Sequence, residues 1–68
     1  MKLYKAIDER DYEPAAFLVY TSGEVAVSTW MFSESEEVAA AKDCADQYLR
    51  KSAKRFNDAI DPVLIAEW

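Results

Sequence analysis

The feature that most constrains this chain is its one long segment of helical period, the 24 residues from Ser33 to Phe56, flanked on both sides by runs of strand character. The segment opens Ser33-Glu34-Ser35-Glu36. A Ser followed three residues later by a Glu lets each side chain satisfy an unpaired backbone donor of the other, so the motif predicts a helix start. Counted at about 100° per residue from Val38, Ala41, Ala45, Tyr48, Leu49, Ser52, Ala53 and Phe56 fall on one stripe, and Glu36, Asp43, Gln47, Arg50 and Lys54 fall opposite. One side of the helix is expected to be buried and the other wet. Glu34, Glu36 and Glu37 crowd its first turn and Arg50, Lys51, Lys54 and Arg55 its last two, which complements the helix macrodipole, and Asp46 with Arg50 adds an i,i+4 pair.

At 68 residues the chain is expected to form one compact domain, residues 1–68. Its conformational entropy, about 1.5 kcal/mol per residue, totals about 100 kcal/mol, which burial in so small a body only narrowly exceeds. A hydrophobic fraction of 51% is high enough to supply that burial and argues against a disordered chain. The single Cys excludes an internal disulfide, and no apolar run approaches the roughly 20 residues of a membrane span, so a soluble protein of the reducing cytoplasm is the expectation. The net charge is -5, and the helical segment, with five acids and five bases, contributes none of it. The surplus lies at Asp8, Glu9, Asp11 and Glu13 near the first turn and at Asp58, Asp61 and Glu67 near the end. Direct contact with nucleic acid needs clustered bases, and the only cluster here coincides with the helix C-terminus, where the dipole already explains it.

Lys2 to Asp8 alternates as a strand, Glu9 to Pro14 is a charged turn, and Ala15 to Thr21 and Glu24 to Phe32 form a hairpin about Ser22-Gly23, the chain's only Gly. Beyond the helix, Asn57 to Asp61 connects to a last strand from Val63 to Trp68, with Pro62 blocking further helix. The fold class is therefore α+β in the order β-β-β-α-β: a four-stranded, mostly antiparallel sheet with one long helix packed on one face. A helix running back across a meander delivers the fourth strand parallel to the first and third, and its expected place is beside the first, with the edge of the third as the alternative. With a two-residue loop, Leu18, Tyr20, Val25, Val27 and Met31 face the helix. The other face then exposes Phe17, Val19, Trp30 and Phe32, a patch of the size that marks interaction surfaces, unless a bulge at Gly23 reverses the register or the sheet curls over them.

What the chain lacks decides its chemistry. No His leaves no imidazole for acid-base, nucleophilic or metal work, one Gly leaves no phosphate-cradling loop, and one Cys leaves no metal knuckle. Cys44, in mid-helix beside Asp43 and Asp46, reads as packing, and the acids Asp8, Glu9, Asp11 and Glu13 lack the spacing of a calcium loop. No catalytic, cofactor or metal site is expected. What remains is binding: the acidic turn Asp8, Glu9, Asp11 and Glu13 and the aromatic face Phe17, Val19, Trp30 and Phe32 are the candidate partner-binding residues. The expectation is a small acidic inhibitor or adaptor for a protein partner with a basic surface. It is of the nucleic-acid-mimic kind that phages and mobile elements direct against CRISPR or restriction systems.

An alternative comes from the strand order together with Ser33 and the run Glu36-Glu37-Val38-Ala39-Ala40-Ala41 leading to Tyr48-Leu49. Over about residues 1 to 50 this resembles in outline the amino-terminal domain of HicB-type antitoxins. The resemblance implies a regulatory unit placed over a toxin; its homodimeric form would pair through a sheet edge or the aromatic face.

Overall fold

The computed structural model describes residues 1–48 and 55–68, with the side chains of 44–48 outside the description. Strands β1 (Lys2–Asp8), β2 (Pro14–Val19) and β3 (Val25–Thr29) are followed by helix α1 (Glu34–Tyr48), a 3-10 turn at Phe56–Asp58 and strand β4 (Ala59–Glu67). They form one four-stranded sheet in the order β3-β2-β1-β4, so the fold is α+β with one described helix. β4 lies beside β1, as expected, but every neighbouring pair is antiparallel.

The direction of β4 corrects the expectation of a parallel return, and the path of the chain shows why. α1 starts where β3 ends and runs back towards the chain termini: Lys42 Nζ stands 5.5 Å from the ring of Trp68, whose backbone pairs with Met1. Phe56 then lies on the opposite face of the sheet, 4.7 Å from the Tyr4 ring and 6.4 Å from Phe17. The Asp58 carbonyl accepts from the Glu9 amide at the far end, so β4 begins level with the end of β1 and must run against it. The chain crosses the sheet twice, once on each face, where a single crossing by α1 was expected. Phe56 accordingly leaves the helical stripe to which its spacing assigned it, and Arg55 has extended backbone (φ -81°, ψ 143°). The expected helical positions Leu49 to Lys54, and with them the Asp46–Arg50 pair, lie outside the described residues.

The hairpin supplies the second correction. The Gly23 amide donates to the Tyr20 carbonyl at 2.9 Å and the Tyr20 amide to the Glu24 carbonyl at 2.8 Å, with Gly23 at φ 92°. Thr21 to Gly23 thus form a three-residue loop with a glycine bulge, and pairing runs Leu18 with Ala26 and Phe17 with Val27. One residue of slip moves every β3 side chain to the other face. On the α1 side, Leu3, Ala16, Leu18, Ala26 and Ala41 form the buried cluster, flanked by Met1, Tyr20, Trp30 and Val38. On the other, Ala6, Ala15, Phe17, Val25 and Val27 are buried beside Tyr4, Val19, Phe56 and Ala59. Val25 and Val27 therefore face away from α1 and Trp30 faces it. Met31, assigned to the helix side, is 65% exposed.

The two sheet edges differ. Along β3, Val25 to Ser28 are all buried although the strand is at the edge. β4 leaves Val63 and Leu64 exposed, but its pairing with β1 is interrupted twice, and Pro62 and the positive-φ residue Asp61 (φ 50°) fall within it. Bulges and proline are devices that keep an edge from recruiting a further strand.

Candidate partner-binding site

One end of the sheet gathers the β1–β2 turn, the β3–α1 connection and the start of β4; the other carries the hairpin loop and the chain termini. At the first end the chemistry is acidic. Asp8 does not contribute to it: its side chain is only 5% exposed and Arg10 Nη2 sits 3.4 Å from its Oδ2. Its Oδ1 accepts the Arg10 amide at 3.0 Å, and its carbonyl accepts the Tyr12 amide at 2.7 Å. Asp11 repeats the device, its Oδ1 accepting the Glu13 amide at 3.0 Å. Asp is used at such positions because its short carboxylate satisfies backbone donors that a tight turn leaves unpaired. The sequence grouped Asp8 with three surface acids; the structure makes it the turn's internal support.

Glu9, Asp11 and Glu13 are exposed. Between them stands Tyr12, 71% exposed and held at φ 58°, a left-handed conformation costing an L-residue roughly 1–2 kcal/mol. The loop therefore turns a large aromatic side chain outward at an energetic cost. Across the same end, the Trp30 amide donates to the Pro14 carbonyl at 3.1 Å, which ties the β3–α1 connection to the β1–β2 turn. That connection exposes Met31 and Phe32, the latter 44% exposed, and runs into the exposed acids Glu34 and Glu36.

Met31 and Phe32 leave the strand because Glu37 captures them. This side chain is fully buried, and its Oε1 accepts the Met31 amide at 2.6 Å and the Phe32 amide at 2.9 Å. The helix start beside it closes as the Ser-x-x-Glu motif predicts: the Ser33 hydroxyl donates to Glu36 Oε1 at 2.7 Å, and the two reciprocal backbone contacts are longer, at 3.4 Å.

Of the aromatic face proposed from sequence, the structure brings nothing together as a patch. Phe17 is fully buried beneath the Phe56 ring. Val19 is half-buried on the same face, and Trp30 is half-buried on the α1 side with Lys5 Nζ 4.7 Å from its ring. Phe32 alone stays exposed, at the acidic end. Sequence reasoning missed Tyr12, Met31 and Glu37. The first was legible as an apolar side chain inside a wholly charged turn; Glu37 was legible as a residue four positions before the buried Ala41, hence on the same helix face.

Among the described residues no group of three acids, Cys or His is placed to hold a metal ion, and no helix is long and apolar enough to cross a membrane. No protein-family model matches the chain, and neither the curated proteins nor the solved structures contain a significant match to it. The resemblance to HicB-type antitoxins therefore rests on the sequence outline alone.

Proposed function

We propose that this protein is a non-enzymatic binding module that docks its acidic end on a basic protein surface built to hold nucleic acid. The observation that supports this is the composition of that end: the exposed acids Glu9, Asp11, Glu13, Glu34 and Glu36 surround loops that also expose Tyr12, Met31 and Phe32. Among the described residues the base in that turn, Arg10, is drawn onto Asp8. A field of one sign raises the encounter rate with an oppositely charged groove and sets orientation, while a few large apolar or aromatic side chains supply most of the binding energy. Exposed carboxylates beside a protruding Tyr meet both needs. The sheet edges, one buried and one interrupted, do not favour a homodimer formed by strand pairing.

The test uses immobilised protein and a cell lysate at low and high salt, with duplex DNA and RNA as competitors. The expected result is capture of a nucleic-acid-binding protein that salt and the competing nucleic acid both release. It should be lost in the double charge reversal Glu9→Lys, Glu13→Lys, whose side chains make no described structural contact. Retention indifferent to salt, or undiminished capture by the double variant, would overturn the proposal.

A further inference from the structure

We propose that the sheet face opposite α1 carries a binding site for a small aromatic monocarboxylate, a site separate from the acidic end and independent of its function. Tyr4, Val19, Val25 and Phe56 line a concavity of about 540 Å³ whose mouth carries Lys2 and Arg55. That volume falls within the roughly 300–1,000 Å³ of small-molecule pockets, and an apolar lining with a few polar groups at the rim is their usual composition.

Three observations point to this class of ligand. The first is the fixed aromatic wall. Phe56 is held by two rings, tilted 58° against Tyr4 at 4.7 Å and edge-on to Phe17 at 6.4 Å, so it offers a flat apolar surface without further ordering. The second is the state of the bases. Lys5 and Lys42 stand over tryptophan rings and Arg10 stands on Asp8, whereas Arg55 has no acidic or aromatic partner among the described residues. Lys2 makes a long, half-exposed ion pair with Glu67 at 4.0 Å. The third is the charge of the rim: Glu24 also lines the concavity and Glu67 stands by Lys2, which leaves Arg55 as the lining base with no acid within 4.0 Å among the described residues, room for one carboxylate. An aromatic ring bearing one carboxylate matches it; a dianion meets Glu24, and a neutral ring leaves Arg55 unused. Arg suits the carboxylate because its planar fork makes two parallel hydrogen bonds.

The experiment titrates the intact protein with 2-naphthoate and, separately, with neutral 2-naphthamide, by calorimetry and by amide chemical shifts. We expect one-to-one saturable binding of the acid, with shifts concentrated at Tyr4, Val19, Val25 and Phe56, and about tenfold weaker binding of the amide. Arg55→Gln, at an exposed residue, should weaken naphthoate by a similar factor and leave the amide unchanged. Val19→Trp fills the concavity and should remove both. No saturable binding of naphthoate, equal affinity for acid and amide, or shifts clustered elsewhere would each overturn the proposal. The comparison of the two ligands on the unmodified protein decides even if a variant fails to fold.

Discussion

Glu37 should contribute more stability than any other charged side chain described here, and replacing it by Ala measures how much. Its carboxylate is fully buried, and one oxygen accepts two backbone amides, at 2.6 and 2.9 Å. Hydrogen bonds to a charged acceptor contribute about 1.5–3 kcal/mol each, and an amide left unpaired in a buried site costs about 1–3 kcal/mol. Two opposing effects lower the sum. Truncation removes the cost of burying the carboxylate, and Met31 and Phe32 are exposed enough for water to reach their backbone. The expected net loss for Glu37→Ala is about 2–3 kcal/mol, which in a domain of this size lowers Tm by about 10–20 °C. Glu37→Gln keeps an acceptor oxygen of the same reach, forfeits only the charge, and should cost about 1 kcal/mol. Urea denaturation of the three proteins gives these differences. Hydrogen exchange at the Met31 and Phe32 amides tests their origin, since Ala should accelerate both and Gln only slightly. A Glu37→Ala protein within about 0.5 kcal/mol of the parent, or with the two amides equally protected, would refute the account of how this connection is held.

Tyr12→Gly should leave stability unchanged or raise it by up to about 1 kcal/mol, because the relief of a positive φ offsets the added freedom of the unfolded chain. In the same variant, capture of the basic partner should fall, so melting and binding measured together separate a functional side chain from a structural one. Gly23→Ala should destabilise by about 1 kcal/mol through φ 92° alone, since a Cβ there meets no atom within 4 Å; equilibrium unfolding checks it, and a cost well above 2 kcal/mol would indicate a contact the loop does not show. Phe56→Ala should lose about 2–3 kcal/mol and increase binding of an apolar dye, as it uncovers Phe17 and Tyr4; unchanged dye fluorescence would mean that Phe56 is not what covers that face.

Most of the local structure was legible in the sequence because it follows from neighbours within four residues. The alternation of Lys2 to Asp8 returned a strand with those bounds, Ser33 and Glu36 marked the helix start, and Gly23 took the positive φ its isolation implied. What failed was strand register and the path of the chain. A three-residue loop and a two-residue loop differ by one residue, yet the difference carried Val25, Val27 and Trp30 to the faces opposite those expected. Phe56 satisfied a helical period by coincidence of spacing, and only the second crossing of the sheet shows that its partners are Tyr4 and Phe17. The same crossing turned β4 round. Of the residues nominated from sequence as a partner surface, Glu9, Asp11, Glu13 and Phe32 are exposed at one end of the sheet, whereas Asp8 and Phe17 are buried for reasons of turn geometry and register that composition does not carry.

The departures from local self-consistency are not spread evenly over this fold. Where propensity, patterning and packing agree, as along β1, β2 and the Leu18 side of the sheet, the chain behaves as a small domain must, with apolar side chains buried on both faces of the sheet and short connections. At the acidic end the agreement stops. A tyrosine is held in a conformation suited to glycine or asparagine, a carboxylate is buried to pin two amides, and a methionine and a phenylalanine are turned to solvent beside it. A chain of 68 residues has little stability to forgo, and the conformational cost at Tyr12 and the desolvation of Glu37 fall within one pair of loops. Features that cost stability persist where the surrounding structure over-determines them, and they cluster where a surface must present particular groups to something else. Asp61 breaks the same backbone rule, but at the guarded edge of β4, where its effect is to interrupt a strand. Tyr12 instead closes the turn between β1 and β2: its amide donates to the Asp8 carbonyl at 2.7 Å, the positive φ brings Glu13 into pairing with Asp8, and the residue placed there is a large aromatic one, 71% exposed. An exposed ring standing among exposed carboxylates is the reason the proposed binding role is placed at the acidic end, ahead of the apolar stretch Val63-Leu64.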